Sequence, residues 1–296
     1  MKIVSSLILI LIFSSFSYAQ YTETINSNRP GASFGAFSVG TNVIQAEGGV
    51  GFGNDNHNLL NTETDNLFLD YALRYGFLFE ELELILEGRF VSAEQTLSFG
   101  GGVSKFSNFQ TNTFGAKYLV YDPYKKRQKE GPNLYSYHAN HRTQWRDLVP
   151  AISVYAGANL LFGDNPFMFI DEPSVSPKFA ISTQNNFDRT VFVINLIVDK
   201  ITTDFPSYSG IFTLTHALSN RFSVFGEFQT IIGDIYSDEL MRGGAAYLFN
   251  KDFQLDVFGL VNFKDTPQRW LVGLGLSYRW DMFHKDKMLD MGDDKL

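Results

Sequence analysis

Residues 66–77 read NLFLDYALRYGF. Every second residue (Leu67, Leu69, Tyr71, Leu73, Tyr75, Phe77) is large and apolar, and the alternate set (Asn66, Asp70, Arg74, Gly76) is mostly polar or small. A period of two is the signature of a strand with one dry face and one wet face. Strands of soluble domains average about five or six residues, whereas this alternation holds throughout 66–77, so its apolar side needs a tall partner surface. After the turn Leu78-Phe79-Glu80-Glu81 the pattern resumes in LELILEGRFVS, with Leu82, Leu84, Leu86, Gly88 and Phe90 on one side and Glu83, Ile85, Glu87 and Arg89 on the other. That turn length sets Asp70 opposite Arg89 and Tyr75 opposite Leu84, which puts both polar rows on one face.

The same rule predicts further strands over about 41–53, 107–120, 151–162, 177–187, 190–200, 207–218, 222–232, 240–249, 253–263 and 269–280, roughly twelve in all, the even number that single-chain bacterial barrels favour. Links such as Asp188-Arg189 and Asn250-Lys251-Asp252 keep apolar rows beside apolar rows. Longer connections are expected at 54–64, 93–106, 163–176 and 201–206. Short turns alternating with longer loops fit an outer-membrane barrel with its short turns in the periplasm. Residues 121–150 interrupt that scheme as a periplasmic insert, either tucked into the barrel mouth or lying on the surface.

Composition agrees. The 296-residue chain is 16% aromatic, with 29 Phe and 14 Tyr, yet its mean hydropathy is only -0.09. A membrane barrel gives that average because half of each strand meets lipid and half meets water. Trp270, Tyr278 and Trp280, with Tyr71, Tyr75, Phe77 and Tyr118, are the expected interfacial girdles. The N-terminus has Lys2, an apolar run to Phe13 and Ser17-Tyr18-Ala19, which fits a secretory signal over 1–19. With no cysteine, neither a disulfide framework nor a lipid-modified cysteine is available. The formal charge of -8 argues against nucleic acid as a partner. A C-terminal tail over 281–296 carries five Asp and three Lys. The fold class read from these features is all-β: one transmembrane, antiparallel, up-and-down barrel over 41–280.

Asn28-Arg29-Pro30-Gly31 with Ser33 and Phe34, followed by FSVGTNVIQAEGGVGF, resembles the opening of the transporter family named for the MetA pathway of phenol degradation. Tyr247-Leu248-Phe249-Asn250 through Gln254-Leu255-Asp256, and the closing Gly-Leu-Ser-Tyr-Arg stretch, are similar to its last hairpins. The resemblance implies an outer-membrane barrel passing small solutes, and it brings no catalytic residues. Trp280 near the chain's end also resembles the terminal aromatic that barrel-assembly machinery reads.

The candidate lumen residues are Glu47, Asp70, Arg74, Glu83, Glu87, Arg89, Lys117, Glu227, Arg242, Asp256, Arg269 and Arg279, with Asp199 beside them. Both signs occur, so they read either as hydrated cross-strand pairs or as a constriction that selects solutes. Residues 20–40 either enter the lumen as a plug or merely turn at Pro30-Gly31. Three functions follow from different classes: a channel in the cell outer membrane of a Gram-negative bacterium for passive passage of small molecules, hydrophobic or aromatic ones among them; a structural or interaction barrel with a plugged lumen and a periplasmic partner at 121–150; and an outer-membrane lipid hydrolase. The first is preferred. His216-Ala217-Leu218-Ser219 lacks the geometry of a Ser-His pair, His138 and His141 make a poor metal site, and Gly48–Gly53 lies in a strand without a following helix, so no catalytic residue, cofactor or metal is expected.

Overall fold

The computed structural model describes residues 24–97, 100–125, 135, 148–161 and 163–281. Twelve strands run in chain order around a closed barrel: β1 (Val43–His57), β2 (Thr62–Gly76), β3 (Leu82–Leu97), β4 (Val103–Tyr121), β5 (Ala151–Leu160), β6 (Val175–Phe187), β7 (Thr190–Asp199), β8 (Ser207–Ala217), β9 (Phe222–Gly233), β10 (Asp238–Asn250), β11 (Phe253–Asn262) and β12 (Gln268–Asp281). Each strand pairs antiparallel with its neighbours in sequence, and β1 closes the sheet on β12. Asp70 stands opposite Arg89 and Tyr75 opposite Leu84, as the turn length dictates. We call the rim where β1 begins and β12 ends proximal, and the opposite rim distal.

The burial pattern is inverted relative to a soluble domain. The largest fully buried side chains are Arg74, Arg279, Lys117, Gln45 and Glu83, while Leu274 is 62% exposed, Leu67 63% and Leu196 59%. A continuous belt of Leu, Phe, Val and Ile around the outside, with charges within, is the distribution of a barrel solvated by hydrocarbon. Aromatic rings ring the proximal edge of this belt: Tyr247, Phe249, Phe253, Tyr278 and Trp280 form a chain of contacts with successive centroids 4.9, 5.6, 6.3 and 4.6 Å apart. Trp270 meets Phe52 toward the distal edge, at 5.7 Å. Tyr71 departs from its expected place in a girdle. It sits at mid-wall, where it lies across its partner Gly88 and donates to Asn112 Oδ1 at 2.8 Å.

Two expected loops are sheet instead. Residues 54–57 and 62–65 continue β1 and β2, and 93–97 and 103–106 continue β3 and β4, so that only positions 58–61 and 98–102 separate these strands in sequence. The reason is that these lengths stand above the apolar belt, where the outer face no longer has to be apolar and period-two hydrophobicity vanishes although the ladder persists. Polar cross-strand bonds take its place: Asn54 Nδ2 donates to Glu63 and Asp65, and Asn66 Nδ2 to Asp55. Residues 1–23, where a secretory signal is expected over 1–19, most of the expected 121–150 insert with His138 and His141, and the residues beyond Asp281 lie outside the described residues.

Placing a charge in the belt tests its solvent. Leu274→Arg is expected to cost about 2–4 kcal/mol in urea unfolding from lipid vesicles if this side chain lies near the bilayer midplane; stability equal to the parent protein would show that position 274 does not face hydrocarbon.

Candidate functional site

The barrel interior is built from a wall of small and polar residues and from the chain segment that precedes β1. This segment enters at the proximal rim, where Ile25 N donates to the Lys251 carbonyl at 2.7 Å, and it leaves at the same rim, where Asn42 N donates to the Gly76 carbonyl at 2.9 Å. Gly40 and Asn42, both at positive φ (97° and 62°), make the exit bend. Between these two ends the segment meets the wall through side-chain bonds rather than a ladder. The amides of Ala32 and Ser33 donate to Glu227, that of Phe34 to Asn195 Oδ1, that of Ala36 to Gln184 Oε1, and that of Val39 to Glu83 Oε2, all within 2.8–3.1 Å. Lys117 Nζ donates to the carbonyls of Gly35 and Phe37, at 2.9 Å each.

Arg29 is the innermost anchor. Its guanidinium makes a bidentate bond to Asp256 (3.2 and 3.1 Å), lies 3.6 Å from Asp70, and sits 5.8 Å from the Phe258 ring. It rests on Gly49 and Gly275, which are cross-strand partners, and a Cβ on either glycine would overlap it. The glycine-rich run of β1 therefore makes room for an arginine, a close-approach use of glycine in a strand.

All twelve candidate ionisable residues face inward, in three tiers. In the proximal tier Arg74 binds Glu83 at 2.5 Å, Glu47 at 3.1 Å and the Asn26 carbonyl at 2.6 Å, and Lys117 lies 3.3 Å from Glu83. The side chains of Arg74, Glu83 and Lys117 have no exposure at all, so this tier is dry where a wet lumen face is expected from sequence: residues 24–42 replace the water. Arg279 is buried at this level, 4.0 Å from Asp281. In the middle tier Arg89 pairs with Asp70 at 2.6 Å, Arg242 with Glu227 at 2.6 Å, and Lys178 with Glu87 at 3.1 Å. Asp199 accepts a bond from Asn159 at 2.6 Å. Near the distal rim Arg269 binds Asp55 at 2.5 Å and donates to the Tyr236 hydroxyl, which also bonds Asp238. Burial of this loop tyrosine pushes its hydroxyl above the ordinary tyrosine range. At the opposite rim burial raises the Glu81 carboxyl, but the hydrogen bond and charge of Lys125 together with a backbone hydrogen bond leave Glu81 below the usual value, while burial lowers Lys125 and its bonds to Glu81 and Glu80 carry it above.

Above Arg29 the interior turns apolar, a feature the charge pattern does not announce. Phe68, Val91, Ala93, Phe225 and Phe258 form a buried cluster, joined by Phe106, Phe167 and Leu271. Phe68 and Phe258 are 6.3 Å apart, and the Arg89 guanidinium lies 4.4 Å from the Phe68 ring. The available signal is that Phe68 and Leu271 are apolar residues on otherwise polar rows of β2 and β12. Beside the threaded segment a cavity of about 200 Å³ opens between Pro30, Gln184, Thr213, Phe225 and Gln254.

His216 and Ser219 each bond to other groups. His216 Nδ1 lies 2.9 Å from the Thr190 hydroxyl on an exposed face, and the Ser219 hydroxyl oxygen accepts bonds from the amides of Arg221 and Phe222. Among the described residues no group of three or more His, Asp or Glu side chains is arranged to hold a metal ion.

The family described as "Putative MetA-pathway of phenol degradation" matches residues 27–280, from the threaded segment through the last strand. The chain belongs to this family. No curated protein matches its sequence. Solved structures similar to it include the transport unit of the autotransporter AIDA-I from Escherichia coli (8% identity, 86% of this chain and 92% of that one, TM-score 0.47), a KdgM porin in complex with disordered oligogalacturonate (10%, 80% and 99%, 0.40) and a TodX deltaS2S3 mutant monoaromatic hydrocarbon channel (8%, 81% and 90%, 0.44). At such scores and identities these likenesses carry no argument about solute or mechanism.

The dry proximal tier makes a direct prediction for the threaded segment. Glu83→Ala strands Arg74 and Lys117 beside one fewer carboxylate, a change that typically costs about 3–5 kcal/mol. Amide hydrogen exchange at Val39 and its neighbours is expected to speed up about tenfold or more as the segment detaches; unchanged protection would mean that Glu83 does not hold it.

Proposed function

We propose that this family member is a passive channel of the bacterial outer membrane for small molecules, with residues 24–42 acting as a plug in the periplasmic half of its bore. One observation supports this most: the lower bore is filled by the chain segment that precedes β1 and not by the side chains of the wall alone. In small barrels with solid interiors, side chains of the strands themselves fill the space. Here inward positions such as Gly49, Ser153, Ser182, Thr213, Gly275 and Ser277 are small, and the volume they leave is taken up by a segment whose backbone-to-backbone bonds with the barrel wall, among the described residues, are at its two ends.

The charged tiers then have two roles. Glu47, Arg74, Glu83 and Lys117 anchor the plug, whereas Asp70, Glu87, Arg89, Glu227, Arg242, Asp256 and Arg269 border the path beyond it, with Arg279 beside the plug at the periplasmic mouth. The apolar cluster above Arg29 favours solutes with a hydrophobic or aromatic body. The apolar belt takes outer-membrane lipid as its solvent, the aromatic end of β12 is suited to barrel-assembly machinery, and 121–150 remains a candidate surface for a periplasmic partner. A second reading, a structural barrel whose interior stays closed, rests on the same filled bore.

Conductance separates the two. Deleting residues 24–37 is expected to raise single-channel conductance in planar bilayers about fivefold or more, and Arg89→Glu in that background to shift ion selectivity toward cations. A deletion variant that folds, resists proteases and still passes no current would favour the closed structural barrel.

A further inference from the structure

The barrel wall is uneven. β4 spans Val103–Tyr121, but its ladder to β5 covers only Thr113–Tyr121, because β5 stops at Leu160. Val103–Asn112, about 30 Å of strand edge at ~3.3 Å per residue, has no strand beside it on that side. An open edge is costly where it meets lipid unless something covers it, and among the described residues the β5–β6 loop does so through its side chains. Asn165 Nδ2 donates to the Phe109 carbonyl at 2.7 Å, on the free edge itself. Asn112 Nδ2 closes the corner by donating to the carbonyl of Leu160, where the ladder ends, at 3.2 Å.

The corner lies at the upper limit of the lipid belt. Phe114 and Phe109 on β4 are exposed and apolar, while Lys105 pairs with Glu94 farther up in water. From inside, the same place is reached from the phenylalanine cluster: Phe106 on the free length of β4 and Phe167 on the loop both pack against it, with their rings 5.5 Å apart. On the outside the loop continues into Ile170, 89% exposed, and Val175, 54% exposed. The loop is fastened on its far side, where Glu172 pairs with Lys200 at 2.5 Å and Phe169 stacks on Phe205 at 5.2 Å, so its contacts with β4 are the ones that can part while its base stays fixed.

We propose that the gap between the distal half of β4 and β6 is a lateral port, with the loop 163–174 as its door, through which apolar solutes of aromatic size pass between the phenylalanine cluster and the membrane. Polar solutes have no reason to take this route, and their path runs along the barrel axis past the plug. The inference rests on the channel reading and adds a second exit to it. It accounts for an apolar cluster placed immediately above a filled lower bore, since a solute held there has one apolar continuation, and that leads sideways past Phe106 and Phe167.

The absence of cysteine from the chain makes the test clean. Gln110→Cys with Asn165→Cys places two thiols across the contact between Asn165 and the Phe109–Gln110 peptide, where a short bis-methanethiosulfonate reagent can bridge them and dithiothreitol can release them. The probe is N-phenyl-1-naphthylamine, whose fluorescence reports arrival in lipid, added to Gram-negative cells producing the barrel. Bridging is expected to slow dye uptake about fivefold or more, with recovery on reduction, while ion conductance of the purified, bridged protein from which 24–37 are deleted stays as in its reduced form. Phe167→Ala, which removes the ring inserted by the door, is expected to speed uptake. Equal uptake by bridged and reduced forms overturns the lateral port. Dye uptake no faster than in cells lacking the barrel, with conductance intact, overturns it as well and leaves the axial channel standing; loss of both would sink the channel reading too.

Discussion

Hydrocarbon cannot accept or donate a hydrogen bond, and this constraint shapes the whole molecule. A strand in that solvent must give every amide and carbonyl to another strand, so the sheet has to close, as β1 and β12 do here. Closure fixes an inside and an outside, and because side chains alternate strictly, every polar residue kept from the lipid is delivered to the interior. Of the ionisable groups thereby gathered inside, Glu47, Arg74, Glu83, Lys117, Glu227, Asp256 and Arg279 are buried. Ion pairing follows from crowding: Arg74, Arg89, Lys117, Lys178, Arg242 and Arg269 each find a carboxylate on a neighbouring strand or across the bore, and buried pairs of this kind hold position better than they add stability.

The threaded segment draws on the same supply of charge. Its backbone amides and carbonyls would otherwise be unsatisfied inside the barrel, and Glu227, Asn195, Gln184, Glu83 and Lys117 satisfy them. Ion pairs of the wall and contacts of the segment are thus one network. Glu83 serves Arg74, Lys117 and the Val39 amide together, and Glu227 serves Arg242, Thr213 and the amides of Ala32 and Ser33. Movement of the segment therefore requires the charges beneath it to be satisfied again, by water or by each other.

The sequence makes the belt legible and the bore only partly so. Leu67, Leu69, Leu73, Leu274 and Leu276 announce their face because lipid imposes one requirement on all of them, and the turn lengths then settle register, as Asp70 opposite Arg89 illustrates. Above the lipid that requirement lapses, which is why Asn54–His57 and Thr62–Asp65 look like loop and are strand. Inside the barrel, contact is set by reach across the bore and not by neighbouring position. Nothing local to Arg29 says that it ends on Asp256, more than two hundred residues away, or that Gly49 and Gly275 form its seat. Phe68 is visible as an exception on a polar row, but its companions Phe225 and Phe258 come from strands far along the chain, so the cluster they make appears only when the sheet is rolled up.

The placement of residues 24–42 also has a consequence for the order in which the molecule is made. This stretch precedes every described strand, yet its partners are drawn from β1, β2, β3, β4, β6, β7, β8, β9, β11 and β12, with Ser27 bonded to Ser277, 250 positions later. No sheet of fewer strands offers it a complete set of bonds. A stretch that comes before the strands in sequence can therefore complete its bonds only once the cylinder around it has closed.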